Sequence, residues 1–180
     1  GVRQLLVEHT HFNDPEKREH IRRLLIRAAQ QKTIPIVNYN DPVSDEENRK
    51  MELAIRRSHG DQVVECVDND ETAAVIANLV HAKKLVLMTS TEGIYRDPAD
   101  PKTLVEQVTA KSMEELEGKV RQLQESCVGA SRAGANGAKA KLEYALKSAR
   151  QGTMVIIGHA RHRLSDLVEG RVACTRIGLE

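Results

Sequence analysis

Apolar residues in this chain follow two spacings, short continuous runs and repeats at i, i+3 and i+4. Runs of this kind are typical of buried strands, and the repeats are typical of amphipathic helices. The runs predict strands at residues 2–7, 34–37, 62–67, 84–88, 154–157 and 172–175. Strands and helices alternate along the whole chain. This order favours an α/β fold with a largely parallel sheet covered on both faces.

The predicted helices carry inward faces and recognisable ends. Asp14 is placed to cap the first long helix, with Pro15 in its first turn. Ser112 and Glu115 have the spacing of a capping box, and Gly152 ends the last long helix. Apolar helical faces are predicted at Ile21, Leu24, Leu25 and Ala28; at Ala73, Ile76, Ala77 and Val80; at Met113, Leu116, Val120 and Leu123; and at Leu142, Ala145, Leu146 and Ala149.

Length and composition limit the class of protein. The 180 residues suffice for one core, and without an internal repeat or linker we expect a single domain over residues 1–180, with a charged insertion at 44–61. A formal charge of +1 gives no sign of an electrostatic nucleic-acid binder. Apolar runs stay well short of the ~20 residues that span a membrane. Three widely separated cysteines favour reduced thiols and a cytoplasmic protein.

Polar residues follow three of the predicted strands, at 38–41, 68–70 and 89–93. In α/β sheets ligands bind beyond the carboxyl ends of the strands, so each of these joints is a candidate site. The joint Asp68-Asn69-Asp70 has two interpretations. Asp70 can be a helix N-cap after a turn, or the three side chains can hold a small polar ligand.

Residues 129–141 form a basic stretch rich in Gly and Ala. Such a stretch can cradle a phosphate with backbone N–H groups and a lysine, or it can be a flexible loop before a helix. The sequence GxxxxGK[ST] does not occur in the chain. The pairs His9/His11 and His159/His162 lack a third ligand at useful spacing, so we predict no metal site in the protein itself.

Three segments together carry a resemblance to a known family. They are IPIVNYND (34–41), VDNDETAAVIANLVHAKKLVLMTSTEGIY (67–95) and NGAKAKLEYA (136–145). In order and spacing they resemble the amino-acid kinase family, and within it the glutamate 5-kinase branch. The resemblance implies a three-layer α/β/α sandwich with a mainly parallel sheet. The first strand of the family and its glycine loop have no counterpart here, so we expect this chain to lack them.

The resemblance also implies a reaction and the residues that perform it. The reaction would be phosphoryl transfer from ATP, with Mg²⁺, to the side-chain carboxylate of glutamate, in proline biosynthesis, by a homo-oligomer. The catalytic residues would be Asp70 and Lys141. Glutamate would bind at Asn38, Asp41, Asp68 and Asn69. The nucleotide would bind at Thr89, Ser90, Ala135, Asn136, Gly137, Ala138, Lys139 and Ala140.

Several positions depart from the family pattern. Ser90 stands where the family has a nucleotide-contacting Asp, and Ala140 where it has Thr. Val67 and Asn136 each replace a Gly, and Tyr39 replaces a Glu. Two alternatives therefore stay open beside a glutamate kinase. One is a kinase of the same family with another carboxylate, carbamate or phosphate acceptor. The other is an inactive, ligand-binding or regulatory relative.

Overall fold

The structure is a computed structural model that describes residues 1–39, 69–127 and 137–180. Its contacts divide the chain into two compact units, Gly1–Asn69 and Asp70–Glu180, and each unit is treated by itself below. The predicted strand at 62–67 and the charged insertion at 44–61 lie outside the described residues. The prediction of a single domain stays a prediction.

The described part of the first unit is a pair of parallel strands with two helices. Strands β1 (Val2–Val7) and β2 (Ile34–Tyr39) pair in parallel, and helices α1 (His9–Asn13) and α2 (Pro15–Gln30) connect them. Asp14 caps α2 as predicted, since its carboxylate accepts hydrogen bonds from the backbone N–H groups of Glu16 and Lys17 at 2.9 and 3.1 Å. The buried apolar side chains of these elements are Val7, Phe12, Ile21, Leu25 and Ala28.

The second unit is built on a four-stranded sheet in the order β3-β5-β6-β4. Its elements in chain order are α3 (Asn69–Leu79), β3 (Lys84–Thr89), a 3₁₀ turn (Pro101–Thr103), β4 (Gln107–Ala110), α4 (Met113–Ser126), α5 (Ala138–Ala149), β5 (Met154–His159), α6 (Leu164–Glu169) and β6 (Thr175–Leu179). The pairs β3/β5 and β4/β6 are parallel, and β5/β6 is antiparallel. The predicted α/β fold with mainly parallel pairing is confirmed.

Helices cover both faces of this sheet. Val155 and Ile157 of β5 face one core, which α4 and α5 complete, whereas Ile156 faces Leu167 of α6 and Cys174 on the other side. This alternation is the two-residue period of a strand buried on both faces. The predicted inward faces of α4 and α5 are confirmed, because Leu116, Val120, Leu123, Leu142, Ala145, Leu146 and Ala149 are all buried.

Five details of the elements differ from the sequence predictions. The run at 84–88 was expected to be a buried strand, yet Met88 is 48% exposed and only Leu87 of β3 is buried. The last strand is Thr175–Leu179 rather than 172–175, and β4 was not predicted. Helix α3 buries Thr72, Ala74 and Ala77, of which only Ala77 was expected. Strand β2 runs on through Asn38 and Tyr39 instead of ending at residue 37.

Candidate active site

An ion pair joins the first turns of two helices in the second unit. Asp70 is the second residue of α3, and Lys141 is the fourth residue of α5. The ammonium group of Lys141 donates to Oδ2 of Asp70, and the two side chains are only 25% and 19% exposed. The structure therefore brings together the two residues predicted to be catalytic. Since α3 begins at Asn69, Asp70 lies in the first helical turn rather than at the N-cap.

The chain topology explains why these two residues meet. Helix α3 leads into β3 and α5 leads into β5, and these strands are parallel neighbours. The strands start in register, because Thr153 Oγ1 donates to the carbonyl of Ala82 at 2.7 Å. A helix that packs back along the following strand has its N-terminus near the strand's carboxyl end. Both helix N-termini consequently lie at the carboxyl edge of the sheet.

The start of α5 has the properties of an anion site. Gly137 occupies the N-cap, where it has no side chain to bond the first N–H groups of the helix. Ala138, Lys139 and Ala140 form the first turn together with Lys141. The N–H groups at a helix start and the positive end of the helix dipole favour negative charge at such a position. Gln124 of α4 fixes this turn by donating to the Lys139 carbonyl at 3.0 Å.

Cys127 lies at the end of α4, within electrostatic range of Lys139. Its thiol donates a long hydrogen bond, 3.9 Å, to the carbonyl of Tyr95. Burial raises the pKa of the Cys127 thiol, and the positive charge of Lys139 opposes that rise only partly. The thiol is therefore held in its neutral form, which is the less nucleophilic one.

The loop after β3 is shaped by hydroxyl groups. Thr89 Oγ1 accepts from the N–H of Thr91 at 2.8 Å, and the two hydroxyls lie 3.0 Å apart. Thr91 Oγ1 in turn donates to the carbonyl of Gly93 at 3.1 Å. Ser90 is exposed at the turn. Of the two predicted nucleotide contacts in this loop, Thr89 thus also organises the loop itself, while Ser90 is accessible to a ligand.

A second charged cluster, which sequence reasoning missed, lies beside this loop. Glu92 pairs with Arg161, and one of its oxygens lies 2.7 Å from Nε2 of His162. Arg161 and His162 follow β5, the parallel neighbour of β3. The signal available in the sequence was the run HARHR directly after one strand and a lone Glu in the polar loop after another.

The remaining predicted site residues are only partly within the described structure. Asn38 is an exposed residue at the carboxyl end of β2, on the face shared with Ile34 and Ile36. Asn69 is the first residue of α3. Asp41, Asp68, Ala135 and Asn136 lie outside the described residues. That the two Asn/Asp joints meet in one pocket therefore stays a prediction.

Within residues 1–39, 69–127 and 137–180, no three His, Cys, Asp or Glu side chains are grouped so that they could hold a metal ion. None of the helices in those ranges is long and apolar enough to cross a bilayer.

Comparison with known proteins decides the family. The sequence model of the Amino acid kinase family matches residues 2–159. The chain belongs to this family. It is 30% identical over 179 residues to a glutamate 5-kinase of Geobacillus kaustophilus, covering 98% of this chain and 42% of that protein. It is 28% identical over 175 residues to a delta-1-pyrroline-5-carboxylate synthase of Mesembryanthemum crystallinum, covering 96% of this chain and 22% of that protein.

The chain thus spans less than half the length of these curated relatives. A solved structure from Aeropyrum pernix K1 has the same fold, with a TM-score of 0.53 at 17% identity; the match covers 88% of this chain and 45% of that one. These results confirm the family and the fold that the sequence motifs indicated.

Proposed function

We propose that this chain forms part of an ATP-dependent kinase that phosphorylates the side-chain carboxylate of glutamate. The observation that carries the proposal is the Asp70–Lys141 pair at two helix N-termini, in a chain of the amino acid kinase family. Relatives that bear the name glutamate 5-kinase support glutamate as the acceptor. The proposed setting is the cytoplasm, and the proposed assembly is a homo-oligomer.

The proposed chemistry is electrostatic. A carboxylate acceptor already carries the attacking negative charge, so it needs no general base, but it must approach the negatively charged phosphates of ATP. The first turn of α5 supplies N–H groups and the ammonium of Lys141 to hold the transferring phosphoryl group. Asp70 holds that ammonium in place. It is a positioning partner for Lys141 rather than a proton acceptor.

The remaining roles follow from residue type. Asn38 and Asn69 offer carboxamides to the substrate α-carboxylate, and Asp41 and Asp68 offer carboxylates to its α-ammonium group. Thr89 and Ser90 are proposed to touch the nucleotide at the carboxyl end of β3. Residues 135–140 are proposed to complete the nucleotide loop.

The described carboxylates fit Mg²⁺ only if the phosphates of ATP provide most of the ligands of the ion. Mg²⁺ in kinases typically keeps few protein ligands and is bound largely by substrate oxygens. Near α5 the described structure offers Asp70, which already pairs with Lys141. When bound, Mg²⁺ would supply neutralisation of phosphate charge.

The test is hydroxamate formation by the full-length protein with glutamate, ATP, Mg²⁺ and hydroxylamine. We expect Lys141→Met to lower kcat by roughly 10²–10³-fold, the usual effect of removing a group that stabilises transition-state charge. Lys147→Met is the matched control, because Lys147 lies on the same helix and contacts Tyr144 instead. It should retain the wild-type rate.

Two outcomes would contradict the proposal. Turnover with another acceptor but not with glutamate would refute the acceptor. An unchanged rate in Asp70→Asn would refute the role of the ion pair, even if glutamate were the substrate. Circular dichroism of each variant distinguishes a lost function from a lost fold.

A relative that binds ligands without catalysis is the second candidate. It is favoured by Ser90 and Ala140, which replace an Asp and a Thr of the family pattern with a weaker polar group and an apolar one. Such a protein would bind ATP or glutamate in a titration and form no hydroxamate with any acceptor.

A further inference from the structure

The loops that follow β3 and β5 are joined by a cluster of polar side chains, Glu92, Arg161 and His162, here called the Glu92 latch. Glu92 is only 17% exposed and His162 only 20%, whereas Arg161 reaches in from a 63% exposed position. A carboxylate that is covered to this degree is costly unless cationic or hydrogen-bonding groups compensate it. Arg161 and His162 provide that compensation from the neighbouring loop.

Backbone hydrogen bonds already connect the two loops where the strands end, and the latch extends this connection. Thr89 and His159 are register partners at the ends of the parallel strands. Beyond them, the N–H of Ala160 donates to the carbonyl of Thr89 at 2.8 Å. The N–H of Arg161 donates to Nδ1 of His159 at 3.0 Å, and the Arg161 side chain pairs with the first loop. Glu92 is the residue of the β3 loop that receives it.

We propose that Glu92 is a positioning residue for nucleotide binding. Through Arg161 and His162 it holds the loop after β3 in the shape that presents Thr89 and Ser90. The inference rests on the proposed function, in which those two residues contact the nucleotide. It also explains how a loop with Ser90 in place of an Asp keeps a usable binding surface. A short hydroxyl side chain tolerates little movement of its backbone, and a loop ordered in advance spares the entropy of ordering on binding.

The first experiment measures the latch without any ligand. Hydrogen exchange of residues 89–94 is followed by mass spectrometry in full-length wild type, Glu92→Gln, Arg161→Gln and the double variant. We expect exchange about tenfold faster in each single variant and little further change in the double one, since all three lose the same charge-assisted pair. Glu117→Gln is the control, because it breaks the pair with Arg150 between α4 and α5. Unchanged exchange in Glu92→Gln overturns the inference.

The second experiment connects the latch to the nucleotide. We expect Glu92→Gln to raise the Kd of a fluorescent ATP analogue, and the KM for ATP, by about three- to tenfold while kcat at saturating ATP stays near wild type. Faster loop exchange with an unchanged Kd would overturn the positioning role alone. A wild-type protein that binds no nucleotide would overturn that role together with the proposed function, and loop exchange would still report whether the latch orders the loop.

Discussion

Gly93, in the loop after β3, is tightly packed against its surroundings and provides a quantitative test of the fold. A Cβ at this position would overlap the Thr175 hydroxyl, and it would lie 2.9 Å from the backbone N of Thr175 and 3.1 Å from Cδ1 of Leu104. Thr175 is fully buried. Its hydroxyl accepts from the N–H of Ile94 at 2.8 Å and donates to the carbonyl of Val105 at 2.6 Å. Gly93→Ala must therefore move a side chain that joins three segments.

The expected cost has two parts. Forcing an extra methyl group into a packed interior typically costs about 1–3 kcal/mol. Displacing the Thr175 hydroxyl leaves the buried N–H of Ile94 without its acceptor, which costs about another 1–3 kcal/mol. We therefore expect Gly93→Ala to lower the free energy of unfolding by roughly 2–6 kcal/mol.

The assay is urea denaturation followed by circular dichroism, with Gly118→Ala as the matched control. Gly118 lies within α4, and a Cβ there would meet nothing within 4 Å. The control should raise stability by about 0.5–1 kcal/mol, because alanine is the better helix former. If Gly93→Ala unfolded at the wild-type urea concentration, the packing of Thr175 against this loop would be wrong.

Three further predictions concern single residues. Hydrogen bonds from Arg22 and, to a smaller extent, Arg23 lower the pKa of Glu19 from its ordinary 4.5 to about 2. The stabilisation by this carboxylate is therefore present above pH 4.5 and lost as the pH falls toward 2. Glu19→Gln should remove that part of the acid-unfolding curve, and a curve identical to that of the wild type would contradict the prediction. Alkylation of Cys127 should rise at higher pH in the folded protein than in urea, because burial raises its thiol pKa; mass spectrometry of the modified peptide decides this. Leu142→Ala should cost about 2–5 kcal/mol in urea denaturation, since Leu142 is fully buried, whereas its exposed neighbour changed as Glu143→Ala should cost little.

Local sequence patterns predicted the helices and strands better than they predicted how those elements pack against their neighbours. The i, i+3, i+4 repeats gave the buried faces of α4 and α5, because a packed helix must bury its apolar stripe wherever it lies. The same reasoning failed for β3, since the exposure of Met88 depends on what packs on that face of the strand, and such contacts are distant in sequence. Strand β4 was missed because four residues with two buried side chains are too short for a periodic signal.

The candidate site was likewise predicted only in part from the sequence. Asp70 and Lys141 were predicted through the resemblance; the structure joins them in an ion pair, and their catalytic role stays a prediction. The Glu92 latch has no local pattern, since Glu92 and His162 are 70 residues apart and each belongs to an ordinary polar loop. Only the register of β3 with β5 brings them together. Residues from different loops can be joined by sequence reasoning only after the strand order is known.

The Asp70–Lys141 pair and the Glu92 latch have different electrostatic roles at one edge of the sheet. Lys141 sits in the first turn of α5, where the helix dipole disfavours a cation, so its position there needs a nearby negative charge. Asp70 supplies that charge now, and an anionic ligand at the same helix end would do the same. A bound phosphate would share Lys141 with Asp70, and the ammonium group would offset part of the repulsion between the two anions. Glu92 is different, because Arg161 and His162 already hold it from another loop. Replacing Asp70 should therefore alter turnover, whereas replacing Glu92 should alter nucleotide affinity, and the ratio of kcat to KM effects separates the two roles.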